Sequence, residues 1–178
     1  VAVIDGAGDS LIRQVVVGQD PWDVCYDPRL NRVYCSSWDP PQIAVIDGTT
    51  DSVLARIPVA DDPERLCYNP ANRRVYCAHF DGGMVSVIDC ERESLAASIP
   101  VGGDPTTIAA DSAHNRVYVG REDGAWITVV DGATNEIVDS VPTHGCVMDF
   151  ALTPGRVWFA DEAASAVGAL DAASGTLL

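Results

Sequence analysis

Lysine is missing altogether. All eleven basic residues among the 178 are arginine, and they face 26 Asp and Glu for a net charge of −15. A phosphate backbone needs a basic surface, so nucleic-acid binding is excluded as a leading function. An anionic membrane surface is disfavoured for the same reason. The chain also lacks any apolar run approaching a membrane span and any sustained helical periodicity. No signal-peptide pattern opens it; it starts inside a motif, at "VAVIDG". Histidine is scarce, with three residues, and no G-x-S-x-G, H-E-x-x-H or C-x-x-C-H occurs. His79, His114 and His144 fall at unrelated places in the chain, which argues against catalysis. The acidity serves solubility and leaves cations or basic partners open.

What is abundant is valine, isoleucine and tyrosine, in short runs broken by Gly, Pro, Asp and Asn. That pattern predicts an all-β protein, and nearly half the residues are hydrophobic, enough for a substantial core. A tetrapeptide recurs: Val3-Ile4-Asp5-Gly6, Val45-Ile46-Asp47-Gly48, Val87-Ile88-Asp89-Cys90, Val129-Val130-Asp131-Gly132 and a worn Ala169-Leu170-Asp171-Ala172. The aspartates are 42, 42, 42 and 40 residues apart. Pro21, Pro63 and Pro105 keep the step, as do Tyr34, Tyr76 and Tyr118, followed by Trp158. Each period holds four extended runs, as in "ERLCYN", "RVYCAHF", "MVSVID" and "SLAASIPV", joined by turn-like segments. Four strands in about 40 residues is the arithmetic of a β-propeller blade. A sandwich has no need for one aspartate at a constant step.

At this point the chain resembles a known family. "NRVYC" with "VAVIDG", and "GGDPTTIAADSAHNRVYVG" with "ITVVDGATNEIV", are similar to YVTN-type β-propeller repeats of bacterial and archaeal surface-layer and other secreted proteins. The naming tetrapeptide is altered here to Tyr34-Cys35-Ser36-Ser37, Tyr76-Cys77-Ala78-His79 and Tyr118-Val119-Gly120-Arg121. The resemblance implies a fold more than a function. With propeller topology, residues 1–17 supply the outer strands of a preceding blade. Residues 21–59, 63–101 and 105–143 form full blades, and 147–178 an incomplete one. Family propellers usually carry about seven blades, so the chain is expected to be part of a longer propeller, whose uncovered end blades would self-associate.

Cys25 and Cys67 share one repeat position, and Cys35 and Cys77 another. If Cys25 faces Cys35 across the inner hairpin, Cα atoms ~4.5–5.5 Å apart are within disulfide reach. In the third blade both cysteines are lost together, to Ala109 and Val119. This favours inner-hairpin disulfides, and with them an extracytoplasmic location, over buried free thiols. Zinc would need about four converging ligands. Cys90 and Cys146 are expected to be unpaired, on opposite faces of the disc.

The channel mouth gathers the remaining candidates. Asp20, Asp62 and Asp104 precede the repeat prolines, and Asp39, Asp81 and Asp123 lie in the loops between second and third strands, on the same face as His144. That ring would suit a basic partner or a cation such as calcium, although Asp also serves turns there. On the other face, Arg32, Arg74, Arg116 and Arg156 should pair across strands with Asp47, Asp89, Asp131 and Asp171. Because the repeat accounts for nearly every distinctive residue, a non-catalytic secreted or cell-surface scaffold for a protein, glycan or small ligand is expected, with no resident cofactor. The alternative is part of a propeller enzyme, lactonase-like or periplasmic dehydrogenase-like, whose site residues lie partly in other blades.

Overall fold

The computed structural model describes residues 1–178. Strands β1 (Ala2–Asp5) and β2 (Ser10–Gln14) pair as a half blade. Three four-stranded antiparallel sheets follow. Blade I is β3 (Gln19–Asp27), β4 (Arg32–Asp39), β5 (Gln42–Asp47) and β6 (Val53–Pro58). Blade II is β7 (Pro63–Asn69), β8 (Arg74–His79), β9 (Met84–Asp89) and β10 (Ser94–Pro100). Blade III is β11 (Pro105–Asp111), β12 (Arg116–Arg121), β13 (Trp126–Asp131) and β14 (Ile137–Pro142). Blade IV has three strands, β15 (Val147–Thr153), β16 (Arg156–Asp161) and β17 (Ala166–Asp171), and a single bridge from Leu170 to Leu177. Each sheet is a simple meander, and the first strands β3, β7, β11 and β15 lie side by side along the inner edge of the arc.

The core lies between blades, because successive strand residues point to opposite faces. Tyr34, Tyr76 and Tyr118 are fully buried and point toward the following blade. Their neighbours at Cys35, at Val75 and Cys77, and at Val117 and Val119 point toward the preceding one. One interface therefore joins Tyr34, Ile43, Val45 and Ile57 to Leu66, Val75, Cys77, Ile88 and Cys90. The next joins Tyr76, Val85, Val87 and Ile99 to Ile108, Val117, Val119 and Val130. Burying such a side chain is worth about 1.5–3 kcal/mol, so these seams outweigh any single polar contact at ~1 kcal/mol.

The inner hairpin corrects the cysteine expectation. Asp27 pairs with Arg32, and the loop between them has four residues, where a Cys25–Cys35 pairing would put Asp27 opposite Val33 across a loop of five. Asp27 Oδ1 accepts the Arg29 amide (2.9 Å), and Asn31 closes the turn at φ +53°. Cys25 then lies opposite Tyr34, and Cys35 opposite Val24; Cys67 lies opposite Tyr76, and Cys77 opposite Leu66. A one-residue slip sends the two side chains to opposite faces. Cys35 packs back on Val15 and Val17, whereas Cys25 packs forward on the cluster that holds Cys77 and Cys90. All six cysteines are free. Burial pushes the Cys25, Cys67 and Cys77 thiols up, and Cys35 to about 11, so they stay protonated and unreactive at neutral pH.

The arginine–aspartate expectation also needs correction. Antiparallel pairing does place Arg32 opposite Asp47, Arg74 opposite Asp89, Arg116 opposite Asp131 and Arg156 opposite Asp171. The side chains part company. Asp47 Oδ1 accepts the amides of Thr49 and Thr50, both at 2.8 Å, and Asp131 and Asp171 do the same with residues two and three positions on. These amides hold the three carboxyls below their ordinary value. Asp89 takes the Glu91 and Arg92 amides and the Arg92 guanidinium. The arginines reach to the next blade instead. Arg32 donates to the Cys90 carbonyl (3.0 Å) and pairs with Glu93 (2.5 Å); Arg74 donates to the Gly132 carbonyl (3.5 Å) and Asn135 Oδ1 (2.9 Å); Arg116 donates to the Ala172 carbonyl (3.2 Å). Each clips one blade to the end of the third strand of the next. Arg156 lies over the Trp158 ring.

Candidate interaction face at the channel mouth

Two sets of loops make one rim. The Phe80 amide donates to the Asp62 carbonyl (3.1 Å), the Glu122 amide to Asp104 (2.9 Å) and the Glu162 amide to Cys146 (3.0 Å). These bonds tie the loop entering each inner strand to the loop between second and third strands. In blade I the pairing of Gln19 with Asp39 makes the same link, so Asp20, Asp62 and Asp104 share a face with Asp39, Asp81 and Asp123, the last three exposed. Asp20 and Asp62 adopt positive φ, 49° and 52°, a conformation that Asp tolerates better than most residues. Asp123 is engaged locally, accepting the Asp104 amide (3.0 Å) and Arg121 Nε (3.3 Å). The carboxylates are spread along the arc, and no three His, Cys, Asp or Glu side chains converge as a metal site.

The histidines separate. His79 is fully buried: Nδ1 donates to the Asp61 carbonyl (2.8 Å) and Nε2 accepts from Ser86 Oγ (2.8 Å). Burial lowers its pKa, so it is a neutral strut. His114 contacts Asp111 (2.6 Å) in the inner hairpin turn of blade III, the end that carries the arginine clips. His144 stands on the rim, its ring 76% exposed and 3.5 Å from Asp161.

Sequence reasoning passed over four features of this rim. Trp22 and Trp38 stack face to face, with ring centroids 5.0 Å apart and planes within 8°. Pro21 pairs with Ser37 and Gln19 with Asp39, which puts the two tryptophans on adjacent strands at the rim end that carries Asp20 and Asp39. Trp22 remains 49% exposed. Glu64 is buried, and its carboxyl is pushed up by burial and by Asp62, Asp81 and Glu122. A cavity of about 190 Å³ on the inner edge is lined by Asp23, Arg65, Thr107 and Asp149 among others. These four share one repeat position, two residues beyond the proline or its Val147 equivalent. Asp23 Oδ2 accepts the Leu66 amide (2.9 Å) and so links inner strands, while Thr107 Oγ1 stands 3.5 Å from Asp149. Fourth, Cys146 and Met148 bring their sulfurs together at the entry to β15. A constant position filled by different polar residues was the available signal for the cavity; for the tryptophans it was two aromatics flanking rim aspartates.

This architecture is that of β-propeller blades. No family model matches the chain, and no curated protein does. Solved structures do. Hydrazine synthase of Kuenenia stuttgartiensis is similar over 94% of this chain and 51% of its own (TM-score 0.81, 22% identity). Sqt1 of Saccharomyces cerevisiae is similar over 99% and 54% (0.83, 15%), and U3-55K over 90% and 51% (0.76, 13%). At these identities the likeness shows the fold alone. The chain spans about half the length of each of the three.

Proposed function

We propose that this chain belongs to a non-catalytic β-propeller scaffold of the YVTN type, and that its channel-mouth face binds a basic segment of a partner protein. The observation that carries this reading is the Trp22–Trp38 stack, with Trp22 half exposed and Asp20, Asp23 and Asp39 close by in the chain. An indole face attracts a guanidinium or ammonium by about 0.5–2 kcal/mol, and the net charge of −15 steers such a partner in. Dispersed rim carboxylates suit diffuse attraction better than a built calcium site, which takes about 6–8 converging oxygens. The register removes the disulfide argument for an oxidising compartment, so secretion or surface display in this reading rests on the repeat resemblance.

Calorimetric titration with an arginine-rich peptide tests the proposal. Binding should weaken as salt rises and fall about thirty-fold in Trp22→Ala, the equivalent of a ~2 kcal/mol anchor. No heat, or an unchanged affinity in Trp22→Ala, would overturn it. A second reading has its own support: the cavity formed by Asp23, Arg65, Thr107 and Asp149 fits a share of a propeller enzyme site, lactonase-like or periplasmic dehydrogenase-like, completed by further blades. Turnover of a lactone or a sugar substrate that Arg65→Ala abolishes would favour it over the scaffold.

A further inference from the structure

Blade IV breaks the repeat at three alternate positions on the rim. Where blades II and III carry Ala60, Asp62, Glu64 and Gly102, Asp104, Thr106, it carries His144, Cys146, Met148. The backbone location is unchanged, because the Cys146 carbonyl accepts from Glu162 as that of Asp104 does from Glu122. All three replacements are metal-ligand types, and two are soft sulfur donors. The Cys146 thiol points at the Met148 thioether, Sγ to Sδ 3.3 Å. With metal–sulfur bonds of about 2.3 Å, the two sulfurs already subtend roughly a right angle at a shared ion. Rotation of the Met148 side chain, 50% exposed and unbranched, opens that angle.

The surroundings supply the rest. His144 is turned by Asp161: its amide donates to Asp161 Oδ2 (3.0 Å), and its Nδ1 lies 3.5 Å from the same oxygen. Asp161 is itself buried and accepts the Ala164 amide at Oδ1 (3.0 Å). A carboxylate on one ring nitrogen, leaving Nε2 as donor, is the usual arrangement behind a metal-bound imidazole. Asp161 pairs across from Val147, and the Glu162 amide donates to the Cys146 carbonyl, so two acidic residues stand beside Cys146 and favour a cation there. Thiolate and thioether sulfurs are soft donors that calcium and magnesium do not use, and three side chains fall short of the roughly four that a structural zinc site takes, which leaves a monovalent soft metal.

We propose that Cys146, Met148 and His144 form a soft-metal site at the channel mouth that takes a monovalent ion of the copper(I) or silver(I) class. Binding exchanges the thiol proton for the ion: the S–H bond breaks, a sulfur–metal bond forms, one proton is released, and no electron moves.

The chain has two methionines, Met84 and Met148, which makes the test direct. One equivalent of silver(I) is added to ¹³C-methyl-methionine protein under non-oxidising conditions. The Met148 methyl resonance should shift while Met84 stays, with one proton released per ion. Copper(I) competition against a chromogenic chelator should show at least a hundred-fold loss of affinity in Cys146→Ser and in Met148→Leu. His144→Gln should lose affinity as well, and Asp161→Asn, which removes the carboxylate behind the imidazole, about 10–100-fold. Met148 sits half exposed, so Met148→Leu keeps the fold. An unmoved Met148 resonance, which includes capture of the ion by the other cysteines, would overturn the site. So would an affinity that Met148→Leu leaves unchanged.

Discussion

The arginine clip makes a sharp energetic prediction, because the pairing suggested by the register and the pairing formed by the side chains differ. Arg32 has its Cα opposite Asp47 but bonds Glu93 and the Cys90 carbonyl of the next blade. Both charged side chains of the pair are about four-fifths buried, with exposures of 22% and 23%. A hydrogen bond from a charged group is worth about 1.5–3 kcal/mol, and an ion pair with residual solvent contact ~0.2–1 kcal/mol. Arg32→Met should therefore cost ~2 kcal/mol. With a urea slope of about 1–3 kcal/mol/M, the unfolding midpoint should fall by roughly 1 M. Two double-mutant cycles then separate the partners. Arg32 with Glu93→Gln should couple by ~1 kcal/mol. Arg32 with Asp47→Asn should couple by no more than ~0.3 kcal/mol, within the range for independent sites, because the Asp47 carboxylate is committed to its own turn amides. A coupling to Asp47 equal to or larger than that to Glu93 would refute the clip.

Three further outcomes follow from particular atoms. Tyr34→Phe should be neutral or slightly stabilising, because the Tyr34 hydroxyl is buried without a partner; Tyr76→Phe should cost ~1 kcal/mol, because its hydroxyl accepts from Asn72 at 2.7 Å, and urea unfolding compares the two. Glu64 has a folded-state pKa above its ordinary 4.5, so the folded chain binds more protons than the unfolded one in that window and loses stability as pH rises through it; Glu64→Gln should raise the melting temperature at pH 7 and give no gain below about pH 4, where the carboxyl is protonated in both states. Mass mapping of oxidatively prepared protein without reductant should find neither a Cys25–Cys35 nor a Cys67–Cys77 bridge; finding either would mean that the inner hairpin has the other register.

The fold was legible because each blade buries the same seam, so Tyr34, Tyr76 and Tyr118 recur with their partners at a constant step. The hairpin register was not. It turns on a four-residue loop closed by Asn31 at positive φ and capped by Asp27, and one residue more would have reversed the faces of Cys25 and Cys35. Backbone pairing correctly set Arg32 beside Asp47, but pairing does not say where a side chain points. The turn amides compete for the aspartate, and the adjacent blade offers the arginine a carbonyl. At the mouth the repeated aspartates were visible as a pattern. Trp22, Trp38, Glu64 and Met148 were not, because each departs from the pattern, and His144 and Cys146 were legible singly but not as a set with Met148. In a repeat protein the scaffold is read from what recurs, and the candidate sites from what interrupts it.

The central claim is that the mouth face, with its stacked tryptophans and acidic rim, is the binding surface. Amide chemical-shift mapping of the ¹⁵N-labelled chain during titration with the arginine-rich peptide tests it most directly. The account predicts shifts in the rim segments at residues 19–24, 37–42 and 60–65, including the Trp22 and Trp38 indole signals. Shifts confined to the opposite hairpins, at residues 47–52 and 89–93, would contradict it.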